Sequence, residues 1–396
     1  LPVSESHDVV IVGGGVIGSA VAHFLTTSHY FNGSILVIER DPTYAYSSTA
    51  LSAASIRAQF SNSINIEMSR FGLDFIRNFS DLDDGSGKCS DLALKENGYL
   101  FLAASEGQQK VLEENNRVQR ECGVDTLLLS PDQLKERFPH LNTDDLLLGS
   151  LGLSGDGWFD NMGLLNGLIA SAREHGARYG KADVTSVERH ANRVASVTLS
   201  SGERVTCDTL VNAAGPRAAQ VAQMAGIALP VEPRKRTNFL FSCQSPPQGR
   251  LPLMIDPTGV FCRPEGEHFL TGCTPNPDPA VDFEDFEPRY AEFEDIIWPA
   301  LAARSPNFEA IRFERGWAGH YAYNTLDQNA VIGPHPELKN FIFANGFSGH
   351  GLQQAPAVGR AIAEWISVGR YQTIDMESLA FERIVHGKPF IEKAII

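Results

Sequence analysis

Apolar runs set the frame of this chain before any motif is read. Residues 8–12 read D-V-V-I-V, apolar without alternation after the first position, which predicts a strand buried on both faces of a parallel sheet. Residues 19–25 continue as an apolar helix, and 35–38 return to strand. Helical periodicity recurs over 65–79, 106–122 and 160–175, and 92–103 reads as a strand pair. Residues 183–205 alternate as a hairpin, and 208–215 (D-T-L-V-N-A-A-G) form a buried strand ending in small residues, followed by a helix to 226. The pattern changes over 231–330. There 234–242, 254–263, 268–273 and 313–323 read as strands, and helical signal is confined to 288–304. A strand over 340–345, a glycine turn over 346–351 and a helix over 355–368 follow.

This order predicts an α/β chain of two interwoven domains. A Rossmann-like dinucleotide-binding domain takes 1–90, 150–230 and 331–396, and an antiparallel β-sheet substrate domain takes 91–149 and 231–330. A length of 396 residues suits two cores rather than one. The formal net charge of −15 repels phosphate backbones and anionic lipid, which argues against nucleic-acid or membrane-surface partners. No apolar run approaches the ~18 residues of a spanning helix. The opening residues lack a basic and apolar leader, and the six widely spaced cysteines form neither a C-x-x-C pair nor a metal-ligand cluster. Free thiols and a reducing, cytoplasmic compartment are expected.

The first strand runs into G-G-G-V-I-G, giving G-x-G-x-x-G at Gly13, Gly15 and Gly18, with Val16 and Ile17 opening a helix. Glu39 ends the second strand 21 residues after Gly18, with Arg40 next. The first glycine permits a tight turn, the second a close approach of backbone to pyrophosphate, and the third close helix–strand packing. The helix N-terminus offers free N–H groups to the phosphates, and Glu39 can accept from ribose hydroxyls.

A second strand–glycine–helix unit lies near the other end, at Gly346, Phe347, Ser348, Gly349, His350 and Gly351. Its helix N-terminus can stabilise negative charge, and the turn contains no Asp or Glu to oppose that. The hydroxyl-rich stretch 47–61 contains one arginine, Arg57. It reads either as a helix start with a solvated Arg or as a segment covering the cofactor, with Ser47, Ser48 and Thr49 near the phosphates.

V-I-V-G-G-G-V-I-G at 10–18, L-V-N-A-A-G-P at 210–216 and A-N-G-F-S-G-H-G at 344–351 together resemble the D-amino-acid oxidase-like FAD oxidoreductases. Y-N-T-L-D-Q-N at 323–329, G-P-H-P at 333–336, Q-Q-A-P at 353–356 and the segment from 382 onward are most similar to a branch of FAD-dependent oxidoreductase-domain proteins linked to complex I assembly. The resemblance implies FAD, a glutathione-reductase-like FAD fold, and oxidation of a C–N bond by hydride transfer to flavin. It places cofactor contacts at Gly13, Gly15, Val16, Ile17, Gly18, Glu39, Arg40, Ser47, Ser48, Thr49, Ser55, Ile56, Arg57, Val184, Ala213, Ala214, Gly215 and Gly319. It adds Gly346, Phe347, Ser348, Gly349, His350, Gly351, Leu352 and Gln353 around the flavin.

Departures from the family pattern shape the expected chemistry. His320 stands where sarcosine oxidase has its flavin-linked cysteine, Gln353 and Leu270 stand at two of its lysines, and Ala322 falls at the carboxylate-binding arginine of glycine oxidase. Catalytic candidates are His320, Tyr321, Arg57, His350, Gln353 and Arg263. His350 reads as either a structural cap or a catalytic group, and Arg263 as either a solvated strand residue or a replacement carboxylate anchor. Arg234, Lys235 and Arg236 read as an exposed charge run. The expected function is FAD-dependent oxidation of an amino acid or a secondary or tertiary amine, with a quinone or protein as a candidate electron acceptor. The rival is a flavin-containing assembly protein with vestigial catalysis.

Overall fold

A computed structural model of the chain describes residues 5–83, 85 and 87–394. Among these residues the first of two eight-stranded sheets runs Val331–Pro334, Phe341–Asn345, Arg204–Asn212, Glu5–Val12, Ile35–Glu39, Arg178–Lys181. Glu5–Val12 lies parallel to both of its neighbours, and the hairpin Val184–His190/Arg193–Leu199 extends from Arg204–Asn212. Val10 and Ile11 are fully buried, as the unbroken apolar run requires of a strand covered on both faces.

The second sheet runs Ile311–Asn324, Val231–Cys243, His268–Cys273, Val260–Glu265, Leu253–Ile255, Tyr99–Ala103, Leu148–Gly152, Thr126–Leu129. Its pairings are antiparallel except that of Leu253–Ile255 with Tyr99–Ala103. The sheet is therefore assembled from two distant parts of the chain. The division at 149/150 cuts through Leu148–Gly152, whose five residues all pair within this second sheet.

Two strand expectations change. Only Tyr99–Ala103 of the stretch 92–103 is a full strand, with Lys95 making an isolated bridge to Trp158. The run 254–263 is two strands, Leu253–Ile255 and Val260–Glu265, because Gly259 (φ +86°) reverses the chain between them.

Two glycines fix how the helices close over the first sheet. A Cβ on Gly359 would lie 2.6 Å from the backbone carbon of Ala20, so the helices Gly351–Val368 and Val16–Thr26 touch nearly backbone to backbone. A Cβ on Gly72 would lie 2.0 Å from the Gln353 carbonyl oxygen, which seats the helix Ser63–Arg77 against the second glycine turn. Among the described residues no helix is long and apolar enough to cross a membrane.

Candidate active site

A cavity of about 590 Å³ opens where the carboxyl ends of the parallel strands meet the antiparallel sheet. Its wall includes Gly13, Gly15, Val16 and Ile17 of the first turn and Phe347 to Gln353 of the second. Ala213, Ala214, Gly215, Val184 and Gly319 also line it. The volume lies within the roughly 300–1,000 Å³ usual for ligand sites.

The first turn is held open by its glycines. Gly13 takes φ +101°, and a Cβ there would lie 2.3 Å from the Ala213 carbonyl oxygen. A Cβ on Gly18 would lie 1.9 Å from the Gly13 carbonyl oxygen. Gly18 therefore packs beneath the turn and does not line the cavity. Gly15 is different. A Cβ there would meet only Thr49 Oγ1, at 3.6 Å. Thr49 Oγ1 also accepts from the Val16 amide at 3.3 Å, at a helix N-terminus whose own cap residue offers no side chain. The exposed amides and the helix dipole suit an anion there.

Glu39 faces the cavity with a carboxylate that accepts from the Gly14 and Asp41 amides, each at 2.8 Å. Burial pushes its carboxyl above the ordinary range despite these two bonds. Arg40 lines the same end and reaches Glu284 and Asp183, each at 3.5 Å. Arg217 also pairs with Glu284 and stacks on Phe283 at 4.5 Å. The stretch 283–286 thus crosses from the second sheet onto the cofactor-binding half, a contact that nothing in its sequence pattern announced.

Ser47, Ser48, Thr49, Ser55 and Arg57 all line the cavity. Ser48 Oγ donates to the His320 carbonyl at 2.6 Å, which ties this stretch to the strand Ile311–Asn324. Ile56 does not line it, because strand alternation turns its side chain away from Ser55 and Arg57 into a core with Leu73 and Phe79. Gly346 also stays off the wall. It turns the chain at φ +71°, with Asn324 and Val231 each 3.2 Å from where its Cβ would be.

In the second turn Ser348 is fully buried, and its Oγ accepts from the Asn324 amide at 3.0 Å. A Cβ on Gly349 (φ +99°) would lie 2.5 Å from the Tyr321 ring, so the phenol packs directly on this backbone. The helix that follows again has no side-chain cap, and its first residues line the cavity.

Arg57 is the central charge of the remaining wall. Its amide donates to Gln353 Oε1 at 2.6 Å, and its guanidinium donates to the carbonyls of Gln59 and Ala394. The guanidinium lies over Phe60 at 4.1 Å, with Phe101 and Tyr99 at 5.5 and 5.9 Å. Among the described residues no carboxylate lies within 4 Å of it. Burial lowers its pKa, and burial, helped by the Arg57 charge, holds His350 well below the usual histidine range. His350 packs edge-on against Phe60, with ring centroids 4.9 Å apart, and is neutral at pH 7.

Arg263 is not a cavity residue, and its reading as a carboxylate anchor is corrected. It is buried against Trp158, pairs with Glu265, and donates to the Ala53 carbonyl at 2.9 Å. The charge run at 234–236 is corrected as well. Lys235 and Arg236 are buried and paired, Lys235 with Asp285 and Arg236 bidentate with Asp278, all at 2.8 Å. Arg236 lines the cavity and stacks on Tyr321 at 4.7 Å. The signal was the spacing of Arg236 and Asn238, which shares one face of a strand.

His320 lines the cavity, but its Nε2 must donate to the Asp285 carbonyl at 2.7 Å, and its ring stacks on Phe286 at 4.3 Å. Burial lowers its pKa, so the ring is a neutral, fixed wall. Leu270 is buried opposite Leu240 and Arg263, and it does not line the cavity.

The two helix N-termini without a side-chain cap of their own, the acid at the end of Ile35–Glu39 and the small residues 213–215 after Arg204–Asn212 fit an extended FAD. The first turn suits the pyrophosphate, Glu39 the ribose, and the second turn the flavin ring.

The description "DAO: FAD dependent oxidoreductase" matches residues 8–365. FAD-dependent oxidoreductase domain-containing protein 1 of Xenopus laevis is 40% identical, over 99% of this chain and 85% of that one. Mitochondrial sarcosine dehydrogenase of Mus musculus is 25% identical over 97% of this chain, which spans 42% of that protein. Among solved structures, L-proline dehydrogenase from P. horikoshii superposes with a TM-score of 0.85 at 26% identity, covering 98% of this chain and 100% of that one. Glycine oxidase from Geobacillus kaustophilus shares the fold, with a TM-score of 0.80 at 21% identity over 95% and 98% of the two chains. With both glycine turns, the acid and the intervening walls on one cavity, the chain belongs to this family of FAD-dependent oxidoreductases.

Proposed function

We propose that the protein oxidises the C–N bond of an amino acid or of a secondary or tertiary amine bearing a carboxylate. The observation that carries this reading is the buried guanidinium of Arg57 on the cavity wall, which makes no ion pair among the described residues. A buried cation without an ion-pair partner favours an anionic ligand group, and guanidinium–carboxylate pairing is the geometry that satisfies it. FAD, when bound, supplies the hydride acceptor. Gly13, Gly15, Val16 and Ile17 would hold its pyrophosphate, Glu39 and Arg40 its adenosine half, and the turn from Phe347 to Gln353 its ring.

The protein's own part is to bind, orient and dry the substrate. Arg57 anchors the carboxylate. Tyr99, Phe261 and Tyr321 exclude water around the amine and so favour its neutral, reactive form. His350 stays neutral and so does not compete with Arg57 for the substrate carboxylate. The imine that forms then leaves and is hydrolysed by water. Relatives named for sarcosine and 4-methylaminobutanoate oxidation support amine chemistry, and no feature of the site favours a purely structural role.

The test is anaerobic mixing of the FAD-loaded protein with a panel of amines and amino acids, followed at the flavin absorption band. Bleaching by carboxylate-bearing amines is expected. Arg57→Met should slow it by roughly 10²-fold or more, the scale of losing a charge-assisted contact in a dry site. A flavin that no amine bleaches would overturn the reading.

A further inference from the structure

The guanidinium of Arg57 takes one of its two carbonyl partners from Ala394, 337 residues further along the chain. The stretch that delivers this carbonyl is bonded at every residue. The Phe390 amide donates to Asp327 Oδ2 at 3.0 Å, and the Ile391 carbonyl accepts from Asn62 at 3.0 Å. The Glu392 amide donates to the Asp327 carbonyl at 3.2 Å, and the Lys393 amide to Ser61 Oγ at 2.9 Å. Asp327 is itself fully buried and paired with Arg383 at 2.7 Å, so the platform beneath the stretch is rigid.

Glu392 is the knot. Its side chain is 1% exposed, and both carboxylate oxygens are used. Oε1 accepts from the Ser61 amide at 2.8 Å, the Ser61 hydroxyl at 2.6 Å and the Ala394 amide at 2.9 Å. Oε2 accepts from the Asn62 amide at 3.2 Å and Asn65 Nδ2 at 2.9 Å. A single acid thus joins the segment that begins at Arg57 to the residue whose carbonyl holds its guanidinium. Both hydrogen-bonding partners of the guanidinium are uncharged carbonyls that fix its direction, while the buried carboxylates of Glu392 and Asp156 act on it without forming an ion pair.

We propose that Glu392 is a positioning residue for substrate selection: by clamping 390–394 onto Ser61 and Asn65, it holds the Ala394 carbonyl against Arg57 and aims the guanidinium at the cavity. This rests on the reading of Arg57 as a carboxylate anchor. Loss of the clamp lets the guanidinium turn away and selectively weakens ligands that carry a carboxylate.

The test uses the FAD-loaded full chain and two probes of one shape, pyrrole-2-carboxylate and pyrrole-2-carboxamide. Binding is read from the flavin absorption band and from calorimetry. The native protein should prefer the carboxylate, and Arg57→Met should erase that preference. Glu392→Ala should weaken the carboxylate about tenfold, the scale of misplacing one charged hydrogen bond, and leave the carboxamide and the flavin content unchanged. Glu392→Gln keeps the volume but faces five donors with one oxygen and an NH2 group, so it should move the same way. It decides the matter if the alanine variant fails to fold. Arg57→Met without effect on the preference, or no preference in the native protein, overturns the anchor and the clamp together. A preference that depends on Arg57 and is unmoved by both folded Glu392 variants, or probes weakened equally by them, overturns the clamp alone.

Discussion

The amide of Arg57 donates to the side-chain oxygen of Gln353 at 2.6 Å, joining the segment over the first glycine turn to the helix of the second. Gln353 stands at the position of a family lysine, and the bond gives it a definite task here. Gln353→Leu would leave the Arg57 amide buried without an acceptor, a loss of about 1–3 kcal/mol. Urea unfolding of the FAD-loaded protein measures it. A midpoint equal to that of the native protein would show that the bond contributes nothing.

Two of the motif glycines should fail in different ways. Gly15→Val points its side chain at open cavity, so the protein should fold and lose FAD, with stability lowered only by the missing ligand. Gly18→Val drives carbon into the Gly13 carbonyl and should prevent folding outright. Flavin content and circular dichroism separate the two. A yellow, fully stable Gly15→Val would remove the pyrophosphate assignment.

Asp156 gives the fold a pH signature. It is fully buried, and desolvation raises its pKa from an ordinary 3.8 to about 6, although it accepts from the Ala58 amide at 2.7 Å. A carboxyl raised in the folded state contributes stability that is full below pH 3.8 and is lost as pH rises through about 6. Asp156→Asn keeps the acceptor for Ala58 and cannot titrate. Its urea midpoints between pH 4 and 7 should therefore decline less steeply than those of the native chain. Parallel curves would contradict the assignment.

FAD should leave the polypeptide on acid or heat denaturation. The resemblance puts His320 at the linkage cysteine of sarcosine oxidase, and here its Nε2 is engaged with the Asp285 carbonyl and its ring is stacked on Phe286. All flavin is expected in the supernatant after acid precipitation, and colour retained in the pellet would contradict this.

Reoxidation by air should be slow. Leu270, where the resemblance puts the oxygen-activating lysine, offers no cation, and it lies behind the cavity wall opposite Arg263. We expect a quinone or protein acceptor to outpace oxygen in stopped-flow mixing with the dithionite-reduced protein. Leu270→Lys should mainly destabilise the fold by burying an ammonium. Native reoxidation as fast as a true oxidase would reverse the choice of acceptor.

Local pattern determined much of this protein. The run 8–12, the three glycines, Glu39 and the second glycine turn each state a conformation through residues adjacent in sequence, so period and spacing were enough to read strand, turn and helix. The same holds for the long strands of the second sheet. What only the tertiary structure decided is which side chains meet. Arg236 and Arg263 are both strand arginines, yet one lines the cavity beside Tyr321 and the other is spent on Glu265 and Ala53. Gly18, Ile56 and Gly346 belong to motifs that build the wall without being part of it. The clamp of Glu392 on Ser61 spans 331 residues and has no local signature. Sequence encodes direction along the chain through short-range sterics, whereas the partner of a buried charge is fixed only when distant segments are packed and desolvation leaves it one place to go.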